Sequence, residues 1–427
     1  MPFALATLED RLRTLTPTSI PGIVLLASTP NTSNAYTFAT GGTSLSPTEN
    51  PQPLTAASAF WLASCTKLLT SIACLQLVEQ GKLHLDQPVH ELLPEFGKIG
   101  LLQGWNEDGS PQLAQAGSEA AGASKKVTLR HLLTHTSGLC YDFLSPEILK
   151  WWEWKGIKPE QKGSKIRDIY SAPLITPPGK TWQYSPGIDW AGLLVAKASN
   201  LPSLGAYFNK HILPAVGEIA ERWVYMSMRM PDSGNLVPIG SAPIDKAEDD
   251  LGGGGGRCSP REYIKVLESL LKNDGRLLKP ETVDRYVFSP QLAEGNDKLG
   301  GHLQTELDKY WATLDGGRML TGGYPLPAAP AATSPSGAGD LRPLAPTSPK
   351  DEEGRGTYEY NHSLVGALSR KKGSKSGQWS AHWGGLPNLQ WWVDPRRGCV
   401  DLAKEFREGV LDAFGGKEKG AARESKL

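Results

Sequence analysis

The sequence has no excess of either charge, because 45 lysine and arginine residues balance 45 aspartate and glutamate residues. A chain without an overall positive field has no general attraction for nucleic acid or for an anionic membrane surface. The sequence also lacks any apolar run near the roughly 18 residues that a membrane span requires, and a basic start followed by a long apolar segment is absent. We therefore expect a soluble intracellular protein, with neither nucleic acid nor membrane as a partner.

Cysteine is scarce, with five residues at positions 65, 74, 140, 258 and 399. The number is odd, and there is no CxxC pair or Cys/His spacing typical of zinc, so buried free thiols are expected. Five consecutive glycines at 252–256 suggest a phosphate cradle, but no predicted strand precedes them and no GK[ST] follows. A close-packed turn is the favoured interpretation. We expect no metal and no cofactor.

The last three residues, Ser425-Lys426-Leu427, match the tripeptide that a peroxisomal import receptor binds. The polar residues before them predict a mobile tail over 416–427, as such a receptor requires. This pattern predicts a protein of the peroxisomal matrix with the import receptor as a partner. The alternative is an ordinary frayed terminus on a cytoplasmic protein.

The length of 427 residues suits one large domain, or two lobes that share a cleft. Strand patterns occur towards both ends and helical patterns fill the middle, which predicts an α+β architecture whose N- and C-terminal segments share one sheet. Strands are predicted at 22–26, 36–39, 360–368, 379–383 and 389–393. Helices are predicted in the first residues, from Ser64 to Gly81, and at 129–134, 188–198, 204–211, 260–273 and 402–414. Segments 104–124 and 325–349 are predicted to be loops, the second one Pro/Ala/Ser-rich and flexible.

Ser64-Cys65-Thr66-Lys67 forms an S-x-x-K pattern at a predicted helix start. Residues three positions apart lie on one helix face, so the amine of Lys67 can reach the hydroxyl of Ser64. A serine hydroxyl needs a neighbouring base to act as a nucleophile, and a lysine in an apolar site can serve as that base. The helix N-terminus and the N–H of Ser64 would stabilise an oxyanion. Taken alone, the pattern favours a simple N-cap serine and a solvated lysine.

Two distant segments supply a second proton-transfer group and a second oxyanion donor for Ser64 and Lys67. Tyr184 precedes a predicted helix, and its phenol beside Ser64 and Lys67 would complete a proton relay. The stretch HWGG at 382–385 lies on a late predicted strand, where glycine permits close backbone approach and an N–H can donate to an oxyanion. The alternatives are a half-buried tyrosine and an ordinary strand end.

In chain order these segments resemble the serine β-lactamase-like superfamily, on the branch of the class C enzymes and their esterase relatives. The supporting stretches are LRHLLTHTSGL at 129–139, QYSPGIDWAG at 183–192 and HWGGLPN at 382–388. YSPGIDWAG, together with HWGG and the following WW, is most similar to the fungal acyltransferases of the lovastatin type. The resemblance implies an antiparallel sheet flanked by helices, a mostly helical lobe and an active site in the cleft between them. It also implies a single catalytic domain over 1–420, with the sheet lobe from about 1–100 and 300–415 and the helical lobe at about 101–299.

The resemblance further implies roles for particular residues. Ser64 would carry the acyl group, and Lys67 and Tyr184 would be the general acid/base pair. The N–H groups of Ser64 and Gly385 would form the oxyanion hole. By its position in the family, Tyr141 would contact substrate, although packing is the alternative interpretation.

Two departures from the β-lactamase pattern argue against antibiotic hydrolysis. Pro186 stands where those enzymes usually carry Asn or Ser, and His382-Trp383-Gly384 replaces their Lys-Thr-Gly. Together with the tryptophans at 391–392, these residues indicate an apolar pocket for an acyl or polyketide group, in which His382, Trp383 and Gly384 would contact substrate. The adjacent tryptophans can also lie on opposite faces of one strand, with only one near the site.

Two further expectations concern the sheet and the histidines. The chain runs from Gly398 almost directly into Leu402, so the sheet is expected to lack an edge strand that the family usually has, or the sequence to lack a segment. His135 and His382 do not group with other metal ligands, and hydrogen-bonded structural roles are expected for both.

We expect a serine acyltransferase that moves an acyl group from a thioester, of CoA or of a carrier protein, through a Ser64 acyl-enzyme to an alcohol of a secondary metabolite. An esterase or thioesterase would use the same residues with water as the acceptor, and differs in how well the pocket excludes water. A catalytically inactive binding module of the same fold is the third alternative. Labelling of Ser64 by a serine-directed probe would distinguish the two enzymes from the inactive module, which would not be labelled.

Overall fold

The structure is a computed structural model of the chain, and it describes residues 3–401 except 34, 115–118, 159–160, 217–221, 231–232, 234, 241–246, 293–357, 372, 374–376, 387–388 and 397. Three predicted features lie outside the described residues: the loop at 325–349, the helix at 402–414, and the tail at 416–427 that ends in Ser425-Lys426-Leu427.

Strands occur mainly near the two ends of the described chain, and helices mainly between them. The helices are α1 (Phe3–Leu15), α2 (Thr66–Glu79), α3 (Leu129–Leu133), α4 (Pro146–Trp154), α5 (Ile166–Ile169), α6 (Gly187–Ser199), α7 (Leu204–Tyr207), α8 (Leu213–Val216), α9 (Pro260–Lys272) and α10 (Pro280–Tyr286). The strands are β1 (Gly22–Ser28), β2 (Tyr36–Gly41), β3 (Ser58–Trp61), β4 (Leu102–Trp105), β5 (Pro111–Leu113), β6 (Arg222–Trp223), β7 (Met226–Arg229), β8 (Leu236–Gly240), β9 (Arg257–Cys258), β10 (Tyr358–His362), β11 (Ala367–Lys371), β12 (Ser380–Gly385), β13 (Leu389–Asp394) and β14 (Cys399–Asp401).

Within the part of the chain that the structure describes, the main sheet has seven strands in the order β10-β11-β12-β13-β14-β1-β2, and every neighbouring pair is antiparallel. The short strand β14 joins the N-terminal hairpin β1-β2 to the C-terminal strands. The predicted sharing of one sheet by the two ends of the chain is therefore confirmed. Near Gly398, where the sequence analysis expects a missing edge strand or a missing segment, β14 lies inside the sheet, and Val400 pairs with both Val393 and Ser28.

The two faces of the sheet are covered by different helices. On β1, Leu25 faces a small cluster with Leu12 of α1, while Leu26 faces the main core. This alternation follows from the two-residue period of a strand. The helix α9, which falls in the range predicted for the helical lobe, also packs on this sheet: Ser28 donates a hydrogen bond of 2.6 Å to the buried carboxylate of Glu268.

Helix α2 lies at the centre of the molecule and is buried almost all round. Leu68, Ile72 and Leu75 each expose about 1% or less of their surface. Burying each of these side chains stabilises the fold by roughly 1.5–3 kcal/mol. A helix buried on every side is fixed by its neighbours, so the residues in its first turn have well-defined positions. The chain leaves α2 through Gly81 at φ 68°, the left-handed cap that the sequence predicts.

Some predicted elements differ from those observed. The segment 104–124 contains the hairpin β4-β5 rather than only a loop. The strand predicted at 360–368 is two strands, because the Ser363 hydroxyl accepts the N–H groups of Val365 and Gly366 and closes a turn between β10 and β11. The helix α4 was missed, although it begins with Ser145 capping the N–H of Ile148 before a proline.

Within the described residues, no helix combines the length and apolar character needed to cross a membrane. All five cysteines are free and buried, as the sequence predicts.

Candidate active site

Ser64 lies on a tight turn between β3 and α2. The turn is the 3-10 helix Ala63–Cys65, and Ala63 has φ 43°, in the left-handed region that costs a residue with a side chain about 1–2 kcal/mol. The Thr66 hydroxyl holds this conformation by donating to the Ala63 carbonyl at 2.6 Å and accepting the N–H of Gly256 at 2.9 Å. The strained turn projects Ser64, which is half-buried, from the start of the helix.

Lys67 lies one turn further along and is 2% exposed. Its Nζ is 3.3 Å from the Ser64 Oγ, which is the contact that the i, i+3 spacing predicts. The same Nζ donates to the Gly253 carbonyl at 2.6 Å and to the Tyr141 hydroxyl at 3.2 Å. A lysine with three oxygen neighbours in a buried position cannot be the solvated side chain of the alternative interpretation.

Tyr184 approaches the serine from the other side. Its hydroxyl donates a short hydrogen bond to the Ser64 Oγ, and its ring lies 4.6 Å from the Lys67 Nζ. The ring packs against His135 and Trp383, with centroids 5.0 Å and 5.6 Å away. The structure therefore brings together the hydroxyl, the amine and the phenol that the sequence analysis selected from segments 120 positions apart.

His135 supports the Tyr184 segment through hydrogen bonds. Its Nδ1 lies 3.1 Å from the Ser185 hydroxyl and accepts the Ser185 N–H at 3.3 Å, while its carbonyl accepts the N–H of Gln183. Burial holds the pKa of His135 well below its ordinary value, so the ring is neutral. The expected structural role of this histidine is confirmed.

Strand β12 places its side chains on two faces. Trp383 lies on the face of Tyr184, whereas His382 lies on the other and stacks on Trp392 with centroids 4.1 Å apart. The register agrees, because His382 pairs with Trp392 and Trp383 pairs with Trp391. The structure therefore does not bring His382 to Ser64, and its contact with substrate stays a prediction. The two adjacent tryptophans lie on opposite faces, which was the alternative interpretation.

Gly385 ends β12 directly against the turn that carries Ser64. A Cβ at Gly385 would lie 2.6 Å from the carbonyl oxygen of Leu62, so only glycine allows this approach. Gly384 precedes it on the same strand and is buried. The backbone of β12 is thus held beside the nucleophile candidate, as the resemblance implies for an oxyanion donor.

Asp189 is a buried acid that the sequence analysis missed. It is 1% exposed in the first turn of α6, where its Oδ1 accepts the N–H of Gly253 at 2.8 Å and its Oδ2 accepts the hydroxyl of Tyr141 at 3.2 Å. Burial raises its pKa, and Lys67 opposes that rise. The sequence signal that could have identified Asp189 is a lone acidic residue, five positions after Tyr184, in a mostly apolar predicted helix.

Tyr141 lies beside the Ser64–Lys67 pair. Its hydroxyl lies between Lys67 and Asp189, and the side chain is 7% exposed. Burial raises its pKa well above the ordinary value, so the phenol keeps its proton. Tyr141 therefore contacts the relay through Lys67, and its contact with substrate stays a prediction.

The five glycines at 252–256 form the close-packed turn that the sequence favours. Lys67 and Asp189 both bond to the backbone of Gly253, and Trp61 donates to the carbonyl of Gly254 at 2.6 Å. A Cβ at Gly253 would lie 2.3 Å from the Asp189 Oδ2. The run lets the main chain pass between α2 and α6 and supplies hydrogen-bonding groups to both.

Apolar side chains flank the site at the surface. Phe143 is 55% exposed and stacks on Tyr141 with centroids 5.2 Å apart. Leu386, 50% exposed, directly follows Gly385. Because large exposed apolar groups cluster where a protein binds apolar partners, this rim suits an apolar substrate.

The chain is similar to known proteins along most of its length. The sequence profile described as Beta-lactamase matches residues 9–400. The chain is 31% identical over 399 residues to the monacolin J acid methylbutanoyltransferase of Aspergillus terreus, over 90% of this chain and 86% of that protein. It is 34% identical over 289 residues to the lovastatin esterase of Penicillium rubens, over 64% of this chain and 69% of that protein.

Among solved structures, a mutant of the simvastatin synthase from Aspergillus terreus matches with a TM-score of 0.72 and 30% identity, over 93% of this chain and 90% of that chain. The predicted α+β fold of the serine β-lactamase type is confirmed. The chain belongs to the beta-lactamase family and is an enzyme of its acyltransferase and esterase branch.

Proposed function

We propose that this enzyme transfers an acyl group from a thioester to an alcohol of a secondary metabolite, through an acyl-enzyme on Ser64. The observation that carries the proposal is the contact of the Ser64 Oγ with both the Lys67 amine and the Tyr184 hydroxyl. The chain has this arrangement on the fold of relatives that are named as acyltransferases.

In the first half-reaction, the Ser64 Oγ attacks the thioester carbonyl while Lys67 takes its proton. The new Oγ–C bond forms, the C–S bond breaks, and the proton passes through Tyr184 to the departing thiolate. In the second half-reaction, Tyr184 takes the proton of the alcohol while its own proton passes to the Lys67 amine, and the alcohol oxygen forms a new C–O bond. The Oγ–C bond then breaks, and Oγ regains a proton from Lys67.

The oxyanion of each half-reaction requires donors aimed at one point. In this proposal they are the N–H groups of Ser64 and Gly385. Two observations support the assignment: the strained turn at Ala63 fixes the Ser64 backbone, and the end of β12 approaches that turn as closely as a glycine allows. Preorganised donors of this kind contribute about 3–4 kcal/mol each to such reactions.

The substrate class follows from the surroundings of Ser64. Trp383 packs on Tyr184, and Phe143 and Leu386 form an apolar rim, which suits an aliphatic acyl group and an extended apolar acceptor. The donor in this proposal is an acyl-CoA or an acyl group on a carrier protein. The name of the Aspergillus terreus relative makes monacolin J acid the first acceptor to test.

The test mixes the enzyme with a butanoyl thioester and measures ester and free acid with and without monacolin J acid. We expect butanoyl ester to form only when the alcohol is present, and the Ser64→Ala variant to form none. Ser71→Ala is the matched control, since Ser71 is a buried serine of α2, the helix that follows Ser64, and lies outside the relay. Equal product from Ser64→Ala and the wild type would reject the proposal.

Hydrolysis is the second candidate, and the likeness to a lovastatin esterase favours it. The same residues would act, with water in place of the alcohol. Free acid as the main product at saturating alcohol, still dependent on Ser64, would identify an esterase or thioesterase. No covalent labelling of folded enzyme by a serine-directed phosphonate would instead indicate a binding module.

A further inference from the structure

A closed ring of hydrogen bonds joins four residues: Lys67, Tyr141, Asp189 and Gly253. The Lys67 Nζ donates to the Tyr141 hydroxyl at 3.2 Å, and that hydroxyl donates to the Asp189 Oδ2 at 3.2 Å. The Asp189 Oδ1 accepts the N–H of Gly253 at 2.8 Å, and the carbonyl of Gly253 accepts from the Lys67 Nζ at 2.6 Å. Every side chain of the ring is at least nine-tenths buried.

The direction of each bond in the ring is fixed by chemistry. The N–H of Gly253 can only donate, so the facing Asp189 oxygen must accept. Burial raises the pKa of Tyr141 well above its ordinary value, so its hydroxyl keeps a proton to donate to Asp189. The Tyr141 oxygen is then left to accept from Lys67.

This ring accounts for two of the three hydrogens on a lysine ammonium. The third points to the Ser64 Oγ, 3.3 Å away. When the amine is neutral it keeps two hydrogens, and the two ring acceptors hold both of them. The lone pair of the neutral amine then faces the serine hydroxyl. The ring thus orients the amine for proton transfer in either protonation state.

We infer that Tyr141 and Asp189 are positioning residues, which aim the Lys67 amine at Ser64. The inference rests on the proposed function, because it assigns the orientation of the base in that reaction. Neither residue contacts the Ser64 hydroxyl in the hydrogen bonds of the structure; both act through Lys67.

Asp189 also adds a charge to the site. The titratable groups that face Lys67 and Asp189 include Cys65 on the turn, His135, and three tyrosines at 141, 170 and 184. Burial raises the pKa of the Cys65 thiol and lowers that of His135, so both remain neutral. Among these groups Asp189 is the carboxylate; burial raises its pKa, and the neighbouring Lys67 amine opposes that rise.

The test compares Asp189→Asn and Tyr141→Phe with the wild type by the pre-steady-state burst of p-nitrophenol from p-nitrophenyl butanoate, across pH. For both variants we expect the burst rate to fall on the order of 100-fold, the usual effect of misplacing a catalytic group by about 1 Å. In Asp189→Asn the acid limb of the pH–rate profile moves to lower pH, because the negative charge beside the relay is gone. In Tyr141→Phe, which keeps the carboxylate, the limb moves less.

Glu268→Gln is the matched control, because Glu268 is a buried carboxylate on α9, bonded to Ser28 and Ser33 rather than to the relay. It should leave both the burst rate and the acid limb unchanged. The inference is overturned if Asp189→Asn has the wild-type burst rate. It is also overturned if the burst is slower but the acid limb does not move, because that result is expected of a residue that only supports the fold. If Asp189→Asn does not fold, a wild-type rate in Tyr141→Phe overturns it equally. Absence of a burst in the wild type rejects the proposed function and, with it, the inference.

Discussion

Replacing Gly253 by alanine would place a methyl group inside the ring of hydrogen bonds around Lys67. The new Cβ would lie 2.3 Å from the Asp189 Oδ2 and 2.9 Å from the Tyr141 hydroxyl oxygen. An ordinary contact needs about 3.5 Å, so the carboxylate must move by about 1 Å. That movement breaks the contacts that hold Tyr141 and the Gly253 N–H. We expect acylation to slow on the order of 100-fold and the unfolding free energy to fall by about 1–3 kcal/mol.

The matched control for this change is Gly254→Ala in the same glycine run. A Cβ at Gly254 would have no heavy atom within 4 Å, and the residue has no positive φ. Its acylation rate should equal that of the wild type, and its stability should be unchanged or about 0.4–1 kcal/mol higher. Burst kinetics and urea denaturation measure both quantities. Equal acylation rates for the two alanine variants would show that the ring does not orient Lys67.

Further predictions concern the relay, the pH dependence of stability and the thiols. Lys67→Ala should slow acylation about as much as Ser64→Ala, since members of one relay act as a unit. An acylation rate for Lys67→Ala that is only slightly below the wild-type rate in the burst assay would contradict the relay. Burial lowers the pKa of His362 to about 4 from 6.5. The unfolded chain therefore binds more protons between these values, and stability should fall as the pH decreases from 6.5 to 4, an effect that urea titrations should find weaker in His362→Gln. Burial raises the pKa of Cys140 and Cys258 to about 12, so both should resist a disulfide reagent at pH 8 until urea unfolds the protein; rapid reaction in the native state would contradict this.

Several features of the fold were predictable from the sequence because they depend on local rules. The spacing of Ser64 and Lys67 places both on one helix face whatever the rest of the chain does. The Ser259-Pro260 pair marks the start of α9, where the Ser259 hydroxyl caps the N–H of Glu262. Tyr184 was found because its surrounding stretch resembles a family motif rather than by any local rule.

The remaining features depend on contacts between distant residues. The placement of His382 on the other face of β12 from Trp383 was not predictable, because a strand pattern gives the alternation of faces but not which face meets the serine. Asp189 and Tyr141 were not linked to Lys67, since their hydrogen bonds cross 48 and 74 positions of sequence. A continuous strand was predicted at 360–368, whereas the Ser363 hydroxyl closes a buried turn there.

The central claim is that Ser64 carries the acyl group during turnover. Its most direct test is to mix the enzyme with a butanoyl thioester, quench in acid within the burst, and locate the added mass by peptide mass spectrometry. The account predicts one butanoyl group on the peptide that contains Ser64, which disappears when an acceptor alcohol is added before the quench. Full turnover with no acyl group on that peptide, or with the group on another residue, would contradict it.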